Sequence, residues 1–194
     1  MFSGEEADQQ LVERVQKGDK RAFDVLVLKY QHRIYSLVTR FIRDPDEVQD
    51  VVQEAFIKAY RALPGFRGES AFFTWLYRIA INTAKNYLVS RARRPPGADV
   101  DIEDAEYLES AGALRDLAGP ENQLMTEQLR AVIDKAIRAL PEDLRTALTL
   151  REFEGLSYEE IAEVMRCPVG TVRSRIFRAR EAVDHEILPL IEGN

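Results

Sequence analysis

One stretch of sequence decides what this chain can fold into. Between Arg93-Arg94-Pro95-Pro96-Gly97 and Gly119-Pro120 there are few apolar residues and no sustained helical period. A segment punctuated at both ends, with nothing to bury, reads as a linker. It divides the 194 residues into modules at 1–94 and 123–194, with an acidic linker at 95–122. The length suits one domain or two small ones, and the linker favours two modules. Fully extended, the 26 positions from 96 to 121 reach about 90 Å.

Both modules read as helix. In the first, Leu11, Val12 and Val15 mark a short helix stopped by Gly18. Asp19 caps a second, whose apolar residues at Phe23, Leu26, Val27, Tyr30, Ile34, Leu37, Val38 and Phe41 step by three and four. Asp44-Pro45-Asp46-Glu47 supplies an N-cap, a proline at the first helical position and early acids for a third helix. Pro64-Gly65 ends it, and a fourth helix spans about 70–91. In the second module, Leu124 to Leu140 and Pro141 to Phe153 give two more helices. Ser157-Tyr158-Glu159-Glu160 is a capping box flanked by Leu156 and Ile161, a hydrophobic staple. Its helix runs through the short turn Arg166-Cys167-Pro168 into a long last helix, which is a helix-turn-helix pattern. The fold class is all-α: two small helical domains joined by a flexible acidic linker.

The formal charge of −6 argues, taken whole, against nucleic acid. Its distribution reverses that reading. Residues 1–96 carry a net +4, residues 97–122 a net −7, and residues 123–194 a net −3. Within the modules, residues 55–96 reach +7 and residues 165–180 hold five arginines and no acid. The average conceals two basic surfaces on an acidic tether.

On the last helix, Val172, Ile176, Ala179 and Val183 form a narrow apolar stripe, while Thr171, Arg173, Ser174, Phe177 and Arg178 face away from it. Arginine forks beside a hydroxyl and an exposed aromatic suit base edges and phosphates in a major groove. A lone basic helix is equally well a solvated face; the helix-turn-helix before it favours DNA. On the fourth helix, Trp75, Arg78, Asn82 and Lys85 cluster opposite a core face that includes Phe73, Leu76, Tyr77 and Ala80. With the preceding loop Phe66-Arg67-Gly68-Glu69-Ser70 and with Phe72, they combine aromatics and cations in a way that suits unstacked single-strand bases. Pattern alone leaves Phe72 and Trp75 open between core and strand contact. A third surface, Asp46, Asp50, Gln53 and Glu54, is acidic, and is either solvated or a docking face.

Enzymatic signatures are missing: no Walker loop, no Gly-x-Gly-x-x-Gly and no His-Glu-x-x-His. His32 and His185 lie far apart without ligand-spaced companions, and Cys167 is the single cysteine. No catalytic residue, metal site, cofactor or small-molecule substrate is expected. The acidic start and the absence of a long apolar run predict a cytoplasmic protein.

Four motifs together resemble bacterial extracytoplasmic-function sigma factors, on the sigma-E/AlgU envelope-stress branch. They are Asp50-Val-Val-Gln-Glu-Ala-Phe56, the run from Phe66-Arg-Gly-Glu-Ser to Ile79-Ala80, Leu156-Ser-Tyr-Glu-Glu-Ile-Ala162, and Gly170-Thr-Val-Arg-Ser-Arg-Ile-Phe-Arg-Ala-Arg180. The likeness covers about residues 8–190. It implies sigma region 2 in the first module and region 4 in the second. Asp50, Gln53 and Glu54 match the segment that docks on the clamp helices of core RNA polymerase. Phe66, Arg67, Ser70 and Phe72 match the loop that captures a flipped base of the promoter −10 element, with Trp75, Arg78, Asn82 and Lys85 beside the strand. Thr171, Arg173, Ser174, Phe177 and Arg178 match the −35-reading face. The linker resembles the segment threaded through the polymerase, and a membrane-anchored anti-sigma factor is an implied partner.

The expectation is a non-enzymatic initiation factor that directs core RNA polymerase to stress-response promoter DNA. The rival is a stand-alone helix-turn-helix regulator. The linker is expected to leave the modules uncoupled in the free chain, which then binds promoter DNA weakly.

Overall fold

The computed structural model describes residues 4–93 and 120–192, with side-chain surroundings for 6–93 and 129–188. Nearly all of the acidic linker expected at 95–122 lies outside the described residues, as does the side chain of Leu124. Among the described residues there are eight α-helices and no strand. They are α1 (Gly4–Gln16), α2 (Lys20–Thr39), α3 (Pro45–Ala62), α4 (Phe72–Ala92), α5 (Pro120–Ala139), α6 (Glu142–Glu152), α7 (Tyr158–Met165) and α8 (Val169–Glu192).

Local chemistry sets the helix starts. Gly18 adopts φ +98°, open to glycine and strained for other residues, and turns the chain between α1 and α2. Asp19 then accepts from the Arg21 amide at 3.1 Å, and its own carboxylate is gripped by the Arg14 guanidinium at 2.7 Å. Asp44 accepts from the amides of Asp46 and Glu47 at 2.9 and 3.2 Å, with Pro45 opening α3. At α7 the capping box closes in both directions. The Glu160 amide donates to Ser157 Oγ at 3.1 Å, and the Ser157 amide donates to Glu160 Oε2 at 2.7 Å.

α1 to α4 pack around Leu26, Ile34, Leu37, Val48, Ala55, Leu63, Leu76 and Tyr77. The buried Asp8 ties α1 to α2 by accepting from Lys29 Nζ at 2.5 Å and from the Tyr30 hydroxyl. α5, α6 and α8 share a smaller core of Ile137, Leu140, Leu144, Leu148, Ala179 and Val183.

Two expectations need correcting. α4 is buried on two sides, so its wheel does not divide cleanly into core and strand faces. Phe72 and Trp75 are buried, whereas Phe73, expected in the core, is only half-buried and meets Tyr77 edge-on at 6.1 Å. The modules are also not uncoupled. One continuous core includes Tyr77 and Ile81 of α4 together with Ala147, Leu150, Leu156, Ile161 and Val164 of the second module. Apolar faces on α6 and α7 that the second module's small core leaves uncovered find cover on α4.

Candidate nucleic-acid interface

A six-residue loop, 66–71, links the 3-10 turn Leu63–Gly65 to α4, and its start is pinned from outside. Gln16, the last residue of α1, donates through Nε2 to the carbonyls of Leu63 at 3.0 Å and Phe66 at 2.9 Å. The Phe66 ring lies 5.0 Å from Trp75 and 6.3 Å, edge-on, from Phe72, and Phe72 and Trp75 are 5.8 Å apart. Tyr30 backs Phe72 at 5.7 Å. These contacts form an aromatic floor. Arg67, Gly68 and Glu69 stand exposed above it, and Gly68, at φ +71°, makes the loop's tightest bend.

The floor carries a cleft of about 660 Å³ lined by Phe66, Arg67, Glu69, Ser70, Trp75 and Arg78. Its opposite wall comes from the second module, through Glu163 and Arg166. Arg166 caps α7 in the left-handed conformation, φ 51°. Burial of Arg78, and secondarily the nearby Arg166 charge, lower its pKa from the ordinary arginine value. Three guanidiniums, Arg67, Arg78 and Arg166, line the cleft with two carboxylates, Glu69 and Glu163, which leaves its lining net positive.

Further along α4, Asn82 is exposed and Lys85 half-buried. Lys85 Nζ lies 2.7 Å from Glu142 and 3.6 Å from Asp143, both in the first turn of α6. A narrow cleft of about 150 Å³ separates Arg78, Ile81, Asn82 and Lys85 from Asp143, Thr146, Val164, Met165 and Arg166. The expected strand-side residues therefore lie together, with Trp75 and Phe72 buried in the floor and Trp75 lining the cleft.

α8 buries Val172, Ile176, Ala179 and Val183 as expected. Arg173, Ser174, Phe177 and Arg178 are exposed, Phe177 at 62% despite its apolar ring, and Thr171 is half-buried. Ser174 Oγ donates to the Thr171 carbonyl at 3.0 Å, and Arg173 sits 5.6 Å from the Tyr158 ring. The remaining cations of the helix have structural partners. Arg175 binds Asp143 at 2.6 Å, and Arg180 binds Glu152 at 2.5 Å, a hydrogen bond that raises the Arg180 pKa. The local excess of positive charge is thus concentrated at Arg173 and Arg178.

Asp50, Gln53 and Glu54 are all exposed on α3, on the side away from Val48, Val51 and Ala55. Glu54 pairs with Lys58 one turn on at 2.7 Å, and Glu47 is held by Arg91 at 2.8 Å.

Inter-module groups are what local sequence reasoning missed. The Tyr77 hydroxyl donates to Glu154 Oε2 at 2.5 Å, and Arg33 Nε lies 3.4 Å from the same carboxylate. Burial, reinforced by Glu154, pushes the Tyr77 hydroxyl far above its ordinary pKa. Arg40 pairs with Asp134 at 2.7 Å and stacks on Phe153 at 4.0 Å. Among the described residues no cluster of His, Cys, Asp and Glu could hold a metal, and no helix is long and apolar enough to cross a membrane.

Comparison with known proteins places both modules. The Sigma-70 region 2 family matches residues 26–94, and the Sigma-70, region 4 family matches residues 130–183. The chain is 68% identical over 187 residues to the RNA polymerase sigma-H factor of Pseudomonas aeruginosa, covering 96% of this chain and 97% of that protein. It is 65% identical over 184 residues to the ECF RNA polymerase sigma-E factor of Escherichia coli K12, covering 95% and 96%. Among solved structures, CnrH in complex with the cytosolic domain of CnrY matches with a TM-score of 0.68 at 26% identity, over 97% of this chain and 99% of that one. The sigma factor RpoE of Bartonella quintana, in complex with the anti-sigma factor NepR, matches with a TM-score of 0.63 at 26% identity, over 85% and 96%.

Proposed function

This chain belongs to the sigma-70 family, among the extracytoplasmic-function sigma factors of the sigma-E kind, and on that premise we propose which of its surfaces carry out promoter-directed initiation. It is a sigma factor that directs RNA polymerase to promoters.

Region 2 occupies residues 1–94 and region 4 residues 123–194, with the acidic linker 95–122 between them. The exposed Asp50, Gln53 and Glu54 form the core polymerase contact. An acidic face clear of the apolar stripe suits a basic partner surface. The −10 element is taken by the cleft above Phe66, Phe72 and Trp75, the one observation on which this reading rests most. A flipped base enters it, with Ser70 at its wall and Arg67 and Arg78 at the backbone. Asn82 and Lys85 continue that track along α4. Melting follows from trapping unstacked bases, so this chain needs no catalytic residue, nucleotide hydrolysis, metal or cofactor of its own.

The −35 element is read by α8 in the major groove. Arg173 and Arg178 supply forks, Ser174 and Thr171 hydroxyls, and Phe177 an apolar contact. Phe177, with its ring in solvent, supports this assignment, since an exposed large aromatic on a basic helix has no packing role. The chain acts in the cytoplasm and is held in check by a membrane-anchored anti-sigma factor. The complexes in which CnrH and the Bartonella RpoE were solved support a partner of that class.

Run-off transcription with purified core polymerase tests the whole reading. A promoter-specific transcript that depends on this chain supports it. Duplex footprints that are identical with and without polymerase overturn it in favour of a stand-alone regulator.

A further inference from the structure

The α4 face proposed for the promoter strand already has an occupant. We propose that the acidic first turn of α6, Glu142 and Asp143, is an intramolecular stand-in for strand phosphates, covering the Lys85 end of the free chain's own −10 surface while leaving the −35 surface open. The inference rests on the assignment of α4 to the −10 strand.

Lys85 is the cation it concerns most directly. Two carboxylates at 2.7 and 3.6 Å surround its ammonium much as phosphate oxygens would. Asp143 reaches Arg175 of α8 as well, at 2.6 Å, so one side chain joins α4, α6 and the last helix. The acids suit this position. They open α6, where the helix dipole favours negative charge, and Pro141 before them offers no side-chain cap to compete. Around them the seam is nearly closed. The cleft between Asn82 and the second module measures about 150 Å³, half the roughly 300 Å³ at which ligand pockets begin. A nucleotide phosphate cannot take the place of these carboxylates at Lys85 until α6 moves away.

The mask is one-sided. Arg173, Ser174, Phe177 and Arg178 are exposed in the closed form, as are Asp50, Gln53 and Glu54. Core polymerase can therefore dock on the closed chain, and opening follows docking. The pairs at the seam are partly solvated: Lys85 is 26% exposed, Glu142 41% and Asp143 51%. Such pairs are individually weak and easily exchanged, and they lie at the solvated edge of the apolar core that α4 shares with α6 and α7.

The test neutralises both acids in the full-length chain, Glu142→Gln with Asp143→Asn. A matched control, Glu152→Gln with Glu181→Gln, removes the same charge away from the seam. Fluorescence anisotropy then reads binding of the free proteins to the non-template strand of a promoter that the holoenzyme melts. Apparent affinity scales with the open fraction, so the seam variant should bind roughly three- to tenfold more tightly than wild type. Its radius of gyration by small-angle scattering should rise, and the control should change neither quantity. Once polymerase has opened both proteins, run-off transcription at saturating core enzyme should be the same for the seam variant and wild type. Equal tightening in the control, or no tightening in the seam variant, overturns the proposal. A wild-type holoenzyme that makes no promoter-specific transcript overturns the −10 assignment itself, which keeps the two failures distinguishable.

Discussion

Trp75→Ala separates a floor from a stacking platform. The ring is 9% exposed and is flanked by Phe66 at 5.0 Å and Phe72 at 5.8 Å. Removing a buried aromatic costs about 3–5 kcal/mol, and aromatic pairing contributes about 0.5–1.5 kcal/mol of that per contact. The cleft above Trp75 lets water reach the vacated space and the Phe66 loop can settle, so the expected loss lies near the lower figure, about 3 kcal/mol. Trp75→Phe keeps a ring on the floor and should cost about half as much. Urea unfolding followed by far-ultraviolet circular dichroism measures both, since the chain's only tryptophan is lost as a fluorescence probe. Strand binding should fall with stability for Ala and recover with Phe. A Trp75→Ala protein within about 0.5 kcal/mol of wild type that still loses a stacked base's worth of affinity, about 1–3 kcal/mol, would refute the floor and restore direct stacking.

Arg178→Ala should cost about 1–3 kcal/mol at one −35 base pair and relax selectivity there, measured by competition against single-base promoter variants. Equal losses on every sequence would mark a phosphate contact. Arg180→Ala, which breaks only the exposed pair with Glu152, should leave −35 selectivity intact and cost under about 1 kcal/mol of stability. Asn82→Ala should alter −10 preference in run-off assays while leaving core polymerase affinity unchanged; a core-binding defect would mean the surface is misassigned. Ser157→Ala should lower stability by about 1 kcal/mol and increase amide exchange in the first turn of α7. The Arg14 guanidinium holds the Asp19 carboxyl below its ordinary pKa of 3.8. Its contribution is therefore present above that value and lost as pH falls through the lower folded one. Asp19→Asn should flatten that part of the acid limb in thermal melts.

What was legible in the sequence was local. Asp19, Asp44 and Ser157 cap their helices through contacts two or three residues away, and such spacing is visible in any window. The α8 face was equally plain, because one side of that helix packs and the other does not. α4 was harder: packed from two directions, it buries Trp75, which a single-sided wheel had placed with Arg78, Asn82 and Lys85. Nothing local announced Glu154, whose partners Tyr77 and Arg33 lie 77 and 121 positions away. The same holds for Arg166, which joins the cleft above Phe66 and Trp75 only because the modules dock.

Gln16 holds the start of the loop proposed to capture a base, without belonging to the proposed strand track. Because its two bonds come from α1, the order of that helix and the order of the loop share one free energy. Such coupling is reciprocal. If the loop captures a base as proposed, a ligand that peels α1 away weakens that capture, and a captured base resists peeling by the same factor. On the proposed −10 assignment, the amino-terminal helix is thereby a thermodynamic lever on promoter opening, and an occupied promoter exerts equal resistance on that helix.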